Sequence, residues 1–333
     1  MNVGVYKPAF LTVMTTFHAE YSIDPEAPVL VLGGAGIDIV GCLDSELVPK
    51  TSSPARIRTS YGGVARNVAE NLARLGQAAI LLTAVGEDQV GEQLIEHTSM
   101  AGVDCRCIIR TSDAPTGVYL AIIDHEGELQ FAIDDMRVIS ALTPEAVRQH
   151  TELFMNASIF FLDGNLPEAT IKTAMSLAKR AKIPICADPT STSLATRFEP
   201  YLDRLTIVTP NINEGAILCG HELDAADHSG AREAAKHLVA QGVDFAIITL
   251  AEFGVCYATS ETSGYVPAIK TEIIDPTGGG DALAAAVIFA LLQDIPPDEA
   301  IQLGISAASL TLRHRGAVLP DLSLEKLYDQ LVI

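Results

Sequence analysis

The chain has 333 residues, of which 22 are Lys or Arg and 42 are Asp or Glu, so its formal net charge is −20. This excess of acidic residues argues against binding to nucleic acid or to an anionic membrane surface, because both need a basic face. Hydrophobic residues make up 48% of the chain, which is typical of a folded globular protein. The longest apolar run, about Ala282–Leu292, is too short to span a membrane.

Two features bear on the compartment of the protein. No Cys–His spacing typical of a zinc site occurs around the six cysteines, so free thiols in a reducing cytoplasm are the favoured interpretation. Residues 1–28 are predicted to be an N-terminal extension without an assigned function. Within it, Ala9–Phe17 is mildly apolar but interrupted by threonines and preceded by a single Lys, which favours a tail over a signal peptide.

Between residues 29 and 100, the predicted strands and helices alternate. The apolar run Val29–Leu32 predicts a buried strand that reaches the Gly-rich turn 33–36, and Ile37–Val40 is expected to continue it. Apolar residues at helical spacing then predict helices over Val64–Leu75 and Gly91–Met100, with a strand, Ala79–Leu82, between them.

The pattern then changes to short strands, predicted over Cys105–Arg110, Gly117–Ile123 and Leu129–Ile133. We expect the segments 43–60 and 105–135 to supply the strands of a small β lid. Such strands have open edges that invite pairing, so the lid predicts a homodimer.

After residue 143, helices and strands alternate regularly. The predicted strands are Ser158–Leu162, Ile183–Asp188, Leu205–Thr209 and Phe245–Leu250, and the predicted helices lie near Pro144–Glu152, Glu168–Ala181, Asn213–Cys219 and Ala231–Gln241. This alternation predicts a mostly parallel sheet covered by helices on both faces. Such sheets bind ligands at the carboxyl ends of their strands, where Asp163, Asp188 and Asn211 fall.

The most specific segment is 274–283, in which Gly278, Gly279, Gly280 and Asp281 open a long apolar helix. A helix N-terminus presents free N–H groups and positive dipole charge, and glycines let a phosphate approach the backbone closely. For Asp281, two roles are open from the residues alone. It is either a helix cap or a general base beside a phosphate.

This segment resembles the second signature of the ribokinase-like, phosphofructokinase-B type family of carbohydrate kinases, and the resemblance extends from Val29 to the C-terminus. The resemblance implies a three-layer α/β/α fold with a mostly parallel central sheet and a small β lid, formed by one kinase domain over residues 29–333. It also implies that ATP and Mg²⁺ are used, that Asp281 is the catalytic base, and that Gly278, Gly279 and Gly280 form an anion hole.

The same resemblance implies an acceptor site formed by Asp38, Gly62, Gly63 and Asn67. An Asp is a good acceptor for vicinal hydroxyls, and paired glycines let a flat ligand lie against the backbone. A turn Asp and a solvated helix Asn are the alternatives for Asp38 and Asn67.

The nucleotide side of the resemblance involves Asn211, Thr249, Ala251, Gly254 and Gly280. Position 251 is usually Gly in the family, so its methyl group is expected to tighten the approach of the phosphates.

Two cation sites are also implied by the resemblance. Asn211 and Glu214 match a motif that positions Mg²⁺ through water, or else they are a helix cap and a first-turn acid. Asp275 and Thr277 match a K⁺ site, or else they form a turn held by an Asp side chain.

Several segments resemble one subgroup of the family, the pseudouridine kinases. They are 60–67, 132–136, 163–167 and 187–191. This resemblance adds Asn165 and Asp135 to the acceptor site, with Asp135 reading the base through its ring N–H donors. The expected activity is ATP-dependent phosphorylation of a nucleoside 5′-hydroxyl, with pseudouridine as the first acceptor. A kinase of another ribonucleoside or of a free sugar, and a catalytically weak small-molecule binding protein, are the alternatives.

Overall fold

The computed structural model describes residues 23–48, 50–126 and 129–331, so residues 1–22 of the predicted extension lie outside the described residues. The strands are β1 (Val29–Leu32), β2 (Gly36–Leu43), β3 (Ala55–Gly62), β4 (Ala79–Leu82), β5 (Ala84–Gly86), β6 (Ile109–Thr111), β7 (Gly117–Ile123), β8 (Leu129–Asp135), β9 (Phe160–Asp163), β10 (Ile185–Asp188), β11 (Ile207–Val208), β12 (Phe245–Thr249), β13 (Val255–Thr259) and β14 (Ser263–Val266).

The α-helices alternate with these strands over most of the chain. They are α1 (Val64–Arg74), α2 (Gln89–Met100), α3 (Pro144–Gln149), α4 (Thr151–Met155), α5 (Glu168–Ala181), α6 (Thr192–Ala195), α7 (Ile212–Cys219), α8 (His228–Ala240), α9 (Gly279–Leu292), α10 (Pro297–Leu312) and α11 (Leu324–Leu331). Short 3₁₀ helices cover Arg137–Ala141, Thr196–Arg204 and Ala251–Phe253.

The central sheet has eight strands in the order β14-β13-β12-β11-β10-β9-β1-β4. The pairs from β4 to β12 are parallel, and β13 and β14 extend the sheet in antiparallel pairing. All four residues of β1 are fully buried, as expected for a parallel strand that is covered on both faces.

Two layers of helices cover this sheet. Helices α1, α9 and α10 pack with one set of buried strand side chains, and α5, α7 and α8 pack with the other set. Helix α9 is buried around almost its whole circumference, because it lies in contact with both α1 and α10. The predicted three-layer α/β/α fold with a mostly parallel sheet is confirmed.

A separate four-stranded sheet, in the order β3-β2-β7-β8, forms the lid. Its extent differs from the prediction, since Ile37–Val40 does not continue β1. The chain turns at 33–35, and β2 begins at Gly36 as a lid strand, so the lid starts earlier than the predicted segment 43–60.

The segment after residue 104 also differs from the predicted lid strand. A turn, closed by a hydrogen bond from the Ile108 N–H to the Cys105 carbonyl, replaces the first part of that strand. The short strand β6 that follows pairs with β5 instead of joining the lid. Apolar alternation alone does not tell which sheet a short strand joins.

The buried carboxylate of Asp163, at the end of β9, joins three backbone segments. One oxygen accepts from the N–H groups of Gly34 (2.7 Å) and Ala65 (3.1 Å), and the other accepts from the Asn165 N–H (2.9 Å). A Cβ at Gly33 would lie 2.3 Å from an oxygen of Asp163, so only glycine fits there. The turn after β1, the start of α1 and the turn after β9 are therefore fixed relative to one another.

Two further observations concern the apolar helices and the cysteines. No helix within the described ranges is both long and apolar enough to cross a membrane. All six cysteines have free thiols.

We expect Asp163→Asn to lower the free energy of unfolding by about 2–3 kcal/mol, because an amide nitrogen cannot accept from a buried backbone N–H and leaves it unpaired. Urea denaturation followed by circular dichroism measures the change. The matched control is Asp135→Asn on the lid surface, whose ion pair with Arg137 is exposed and should contribute little to stability. Equal losses in the two variants would contradict the role given to Asp163.

Candidate active site

Two cavities open side by side at the carboxyl ends of the central strands, and Gly278 lines both of them. The polar cavity, of about 450 Å³, lies between the lid and the starts of α1 and α9, and includes Asp38, Asn67 and Asp281. The apolar cavity, of about 600 Å³, lies between the 3₁₀ turn at 251–253, the segment 268–273 and helices α9 and α10. The glycine turn at 278 is therefore the boundary between two binding spaces of different chemistry.

The lid supplies the acidic wall of the polar cavity. Asp38, Tyr119 and Asp134 are directly opposite one another on β2, β7 and β8, so their side chains share the face toward the cavity. Burial raises the pKa of Asp38 to about 6, against the lowering effect of the Arg66 guanidinium. A carboxylate, a phenol and a second carboxylate on one face suit a ligand that carries several hydroxyl or N–H donors.

Glycine is required at the two positions before α1 for different structural reasons. A Cβ at Gly62 would lie 2.2 Å from an oxygen of Asp38, so this glycine makes room for that carboxylate. Gly63 has φ +95° and lines the cavity itself, and a Cβ there would lie 2.6 Å from the Cα of Ala35. Gly62 thus acts on the cavity only through Asp38.

Asp135, which the sequence placed over the acceptor, does not line the polar cavity. Successive residues of a strand point to opposite faces, so the neighbour of Asp134 points away from the site. Asp135 instead accepts two side-chain hydrogen bonds from Arg137, at 2.8 and 2.6 Å, which lower its pKa to about 2. The acid that strand β8 brings to the cavity is Asp134.

Asp281, in the first turn of α9, is held by a side chain from α1. Its Oδ2 accepts a hydrogen bond of 2.6 Å from the Nδ2 of Asn67. Burial raises the pKa of Asp281 to about 7, with smaller contributions in the same direction from Asp38 and Asp163. Asn67 is 4% exposed, which excludes the alternative of a solvated helix residue.

The start of α9 is left without any side-chain cap, unlike the start of α7. Asp281 bonds Asn67 and not its own helix terminus, so its role as a simple cap is not supported. Gly278 has φ +78°, and a Cβ there would lie 2.0 Å from the Ala317 carbonyl oxygen. Because Gly280 has open space where a Cβ would be, the first-turn N–H groups are accessible to an anion in the cavity.

Thr249, Ala251 and Gly254 all line the apolar cavity. Ala251 has φ +50°, a left-handed conformation that costs a non-glycine residue about 1 kcal/mol, which explains why glycine suits this position. Lys270 also lines this cavity and is the residue of the apolar wall that carries positive charge.

Asn211 and Glu214 form the N-terminal capping box of α7. The backbone N–H and the side-chain amide of Asn211 donate to the two oxygens of Glu214, at 2.9 and 2.7 Å. Neither residue lines the two cavities, and the part of the chain that the structure describes has no group of three or more metal-ligating side chains. This geometry matches the cap interpretation, and the role of these residues in positioning Mg²⁺ through water stays a prediction.

Asp275 and Thr277 form a turn in front of α9. One oxygen of Asp275 accepts from the N–H and hydroxyl of Thr277, and the other accepts from the Gly316 N–H and lies 3.6 Å from the guanidinium of Arg58. These contacts match the turn interpretation, and the K⁺ site stays a prediction.

Three residues that shape the site were not singled out from the sequence as site residues. Tyr119 and Asp134 follow from strand alternation only once the register of β2, β7 and β8 is known. Arg66 is 1% exposed and bonds Tyr61 on β3 and Asn67 and Glu70 on its own helix α1, so its burial distinguishes it, which the local spacing of these residues does not reveal.

Comparison with known proteins gives relatives along most of the chain. It is 32% identical over 298 residues to the pseudouridine kinase of Escherichia coli K12, covering 89% of this chain and 94% of the relative. It is 27% identical to the guanosine-inosine kinase of Exiguobacterium acetylicum, covering 84% and 93%. The structure of Arabidopsis thaliana ribokinase complexed with ribose and ATP aligns with a TM-score of 0.80 at 22% identity, covering 92% and 99%, and so has the same fold.

The sequence model of the pfkB family of carbohydrate kinases matches residues 27–323. The predicted resemblance is therefore confirmed, and the chain is a phosphotransferase of the sugar and nucleoside kinase class. It belongs to the pfkB family of carbohydrate kinases.

Proposed function

We propose that this protein transfers the γ-phosphoryl group of ATP to the 5′-hydroxyl of a nucleoside, with pseudouridine as the first acceptor. The observation that carries the proposal is the position of Asp281 and the uncapped start of α9 at the boundary of a polar and an apolar cavity. The polar cavity suits the ribose of the acceptor, and the apolar cavity suits the adenine base of ATP. The pseudouridine kinase of E. coli and the guanosine-inosine kinase among the relatives support a nucleoside acceptor.

In this reaction, the acceptor hydroxyl loses its proton to Asp281 as its oxygen bonds to the γ-phosphorus. The bond from the γ-phosphorus to the bridging oxygen breaks in line, and ADP leaves with that electron pair. The first-turn N–H groups of Gly279 and Gly280 donate to the phosphoryl oxygens, whose negative charge is stabilised by the positive end of α9. When bound with the nucleotide, Mg²⁺ would neutralise part of the charge of its phosphates.

Asp281 has the properties of a general base at neutral pH. A carboxyl group whose pKa is about 7 is partly ionised there and holds a proton more readily than an ordinary carboxylate. Asp38, on the lid, accepts hydrogen bonds from the ribose hydroxyls and orients the sugar. Catalysis in this site is therefore mostly positioning and electrostatic stabilisation.

We expect Asp281→Asn to lower the turnover number by ~10²–10⁴-fold, because an amide cannot accept the hydroxyl proton at neutral pH. The melting temperature should be unchanged, since Asn is close in size, and the affinity for ATP should be unchanged or slightly higher, since one negative charge near the phosphates is removed. A coupled assay of ADP release, with ATP binding by calorimetry, measures both quantities. Near-native turnover in a stably folded variant would exclude Asp281 as the base.

We further propose that Asp134 reads the base of the nucleoside. It stands beside Tyr119 on the lid face that covers the cavity. Pseudouridine has two ring N–H donors, and a carboxylate is a strong acceptor for them. The discrimination between bases is therefore assigned to Asp134 and not to Asp135.

Asp134→Ala should raise the KM for pseudouridine by ~10–100-fold, the equivalent of a lost hydrogen bond to a charged acceptor. The KM for ribose, which lacks the base, should change much less. Asp135→Ala is the matched control, one residue away on the opposite face, and should leave both KM values within about twofold. An equal rise in both KM values for Asp134→Ala would mean that this residue does not contact the base.

Two other functions fit the same fold, namely a kinase of another ribonucleoside or free sugar, and a catalytically weak binding protein. A coupled assay with pseudouridine, uridine, adenosine, ribose and fructose 6-phosphate separates them. The proposal expects the highest kcat/KM for pseudouridine. Binding without turnover of any acceptor would favour the binding protein. We assign the enzyme to the cytoplasm, where ATP is available.

We also propose that two copies pair through the outer face of the lid, defined by Ile57, Phe131 and Ile133. These side chains are 72%, 44% and 62% exposed and lie on the face opposite Asp38 and Tyr119. The same face of a second copy would cover these side chains, because it is equally apolar, whereas the chain as a whole is acidic.

Light scattering should therefore give twice the 35.3 kDa mass of one chain. Ile57→Lys should convert the protein to monomers, because a charge would be buried in the centre of the apolar face. The control is Met100→Lys, at an exposed apolar residue away from the lid, which should remain dimeric. A single-chain mass at every concentration of the wild type would refute the pairing.

A further inference from the structure

We propose that Arg66 is a positioning residue for phosphoryl transfer, which fixes the side-chain amide of Asn67 in the orientation that donates to Asp281. This proposal rests on the proposed function of Asp281 as the base. It extends that function to a buried residue with no contact to either cavity.

The hydrogen bonds of Asn67 carry the first step of the argument. Its Oδ1 accepts from the Nε of Arg66 at 3.2 Å and also from the Nη2 of Arg66, while its Nδ2 donates to Asp281 Oδ2 at 2.6 Å. A half-turn of the amide would place its N–H groups against the guanidinium and its oxygen against the carboxylate. Arg66 therefore selects the orientation in which Asn67 is a donor toward Asp281.

Arg66 is itself held rigidly, which makes it suitable for this role. It is 1% exposed, and its Nη2 donates to the Tyr61 carbonyl at 3.0 Å, while its Nη1 bonds the buried carboxylate of Glu70. Arg74 bonds the other oxygen of Glu70 at 2.9 Å. The chain of contacts from Glu70 through Arg66 and Asn67 to Asp281 thus starts from a fully buried ion pair.

The charge of Arg66 supports the same role, because the groups facing Asp281 are otherwise acidic. They are Asp38 on β2, Asp163 on β9 and Asp188 on β10, and burial raises the pKa of each. Asp38 and Asp163 also raise the pKa of Asp281, whereas the guanidinium of Arg66 lowers it. A neutral side chain in place of Arg66 would shift ionisation of Asp281 to higher pH.

The double variant Arg66→Met with Glu70→Gln tests the proposal without leaving an unpaired buried charge next to the site. We expect kcat to fall by ~10–100-fold and the acidic limb of the kcat–pH profile to move to higher pH, as expected when a nearby opposite charge is removed. Because the apolar cavity is untouched, the KM for ATP should stay within about twofold of the wild type. Arg66→Lys is the second variant. It keeps the charge but loses the forked contact, so its kcat should fall while its pH limb stays near that of the wild type.

The control is Arg74→Met, one turn further along α1, which removes a partner of Glu70 but has no hydrogen bond to Asn67. It should lower the melting temperature and leave kcat and the pH limb unchanged. A loss of kcat in Arg74→Met equal to that of the double variant would reduce Arg66 to a structural residue. An unshifted pH limb with kcat within threefold in the double variant would overturn the proposal.

A readout without turnover separates this proposal from the proposed function. The ¹³C carboxyl resonance of Asp281, assigned by its loss in Asp281→Asn, should titrate at higher pH in the double variant than in the wild type. A wild-type protein inert toward every acceptor would refute the proposed function, and the NMR titration would still decide the effect of Arg66. An unchanged titration midpoint would overturn the electrostatic part of its role.

Discussion

The carboxylate of Asp163 is the constraint on which the acceptor side of the molecule depends. It joins the turn after β1, the first N–H groups of α1 and the turn after β9, three segments far apart in sequence. Helix α1 carries Asn67 and Arg66, so their reach toward Asp281 depends on a strand end about a hundred residues away in the chain. Burial raises the pKa of this carboxyl, and its backbone donors offset part of that effect.

Much of the layered fold could be predicted because buried parallel strands are short apolar runs separated by amphipathic helices. The first and last residues of the lid strands could not be predicted in this way. Apart from Asp38, Ile37–Val40 is made of β-branched apolar residues like those of a core strand, and the turn at 33–35 sends it into another sheet. The choice between Asp134 and Asp135 has the same cause, because it depends on which face of β8 meets the cavity, and that face is set by long-range pairing.

The candidate site divides along similar lines. The position of the glycine string and Asp281 at the start of α9 could be predicted, because these residues are consecutive and directly precede an apolar helix. Asn211 and Glu214 have a spacing that serves a capping box and a metal motif equally well, and the structure forms the capping box. Asp275 forms its turn with Thr277, two residues away, which local sequence can predict. Its contact with Arg58 comes from a lid strand, which local sequence does not reveal.

The glycine turn before α9 has a consequence for protein synthesis. Gly278 lies against the carbonyl of Ala317, and Asp275 accepts from the N–H of Gly316, 41 positions later in the chain. While a ribosome is still making these later residues, the turn lacks the backbone that shapes it, although the lid and the first strands are already available to fold. The turn can therefore take its final shape only after translation has passed residue 317, and the polar cavity, whose wall includes Gly278 and Asp281, is completed no earlier.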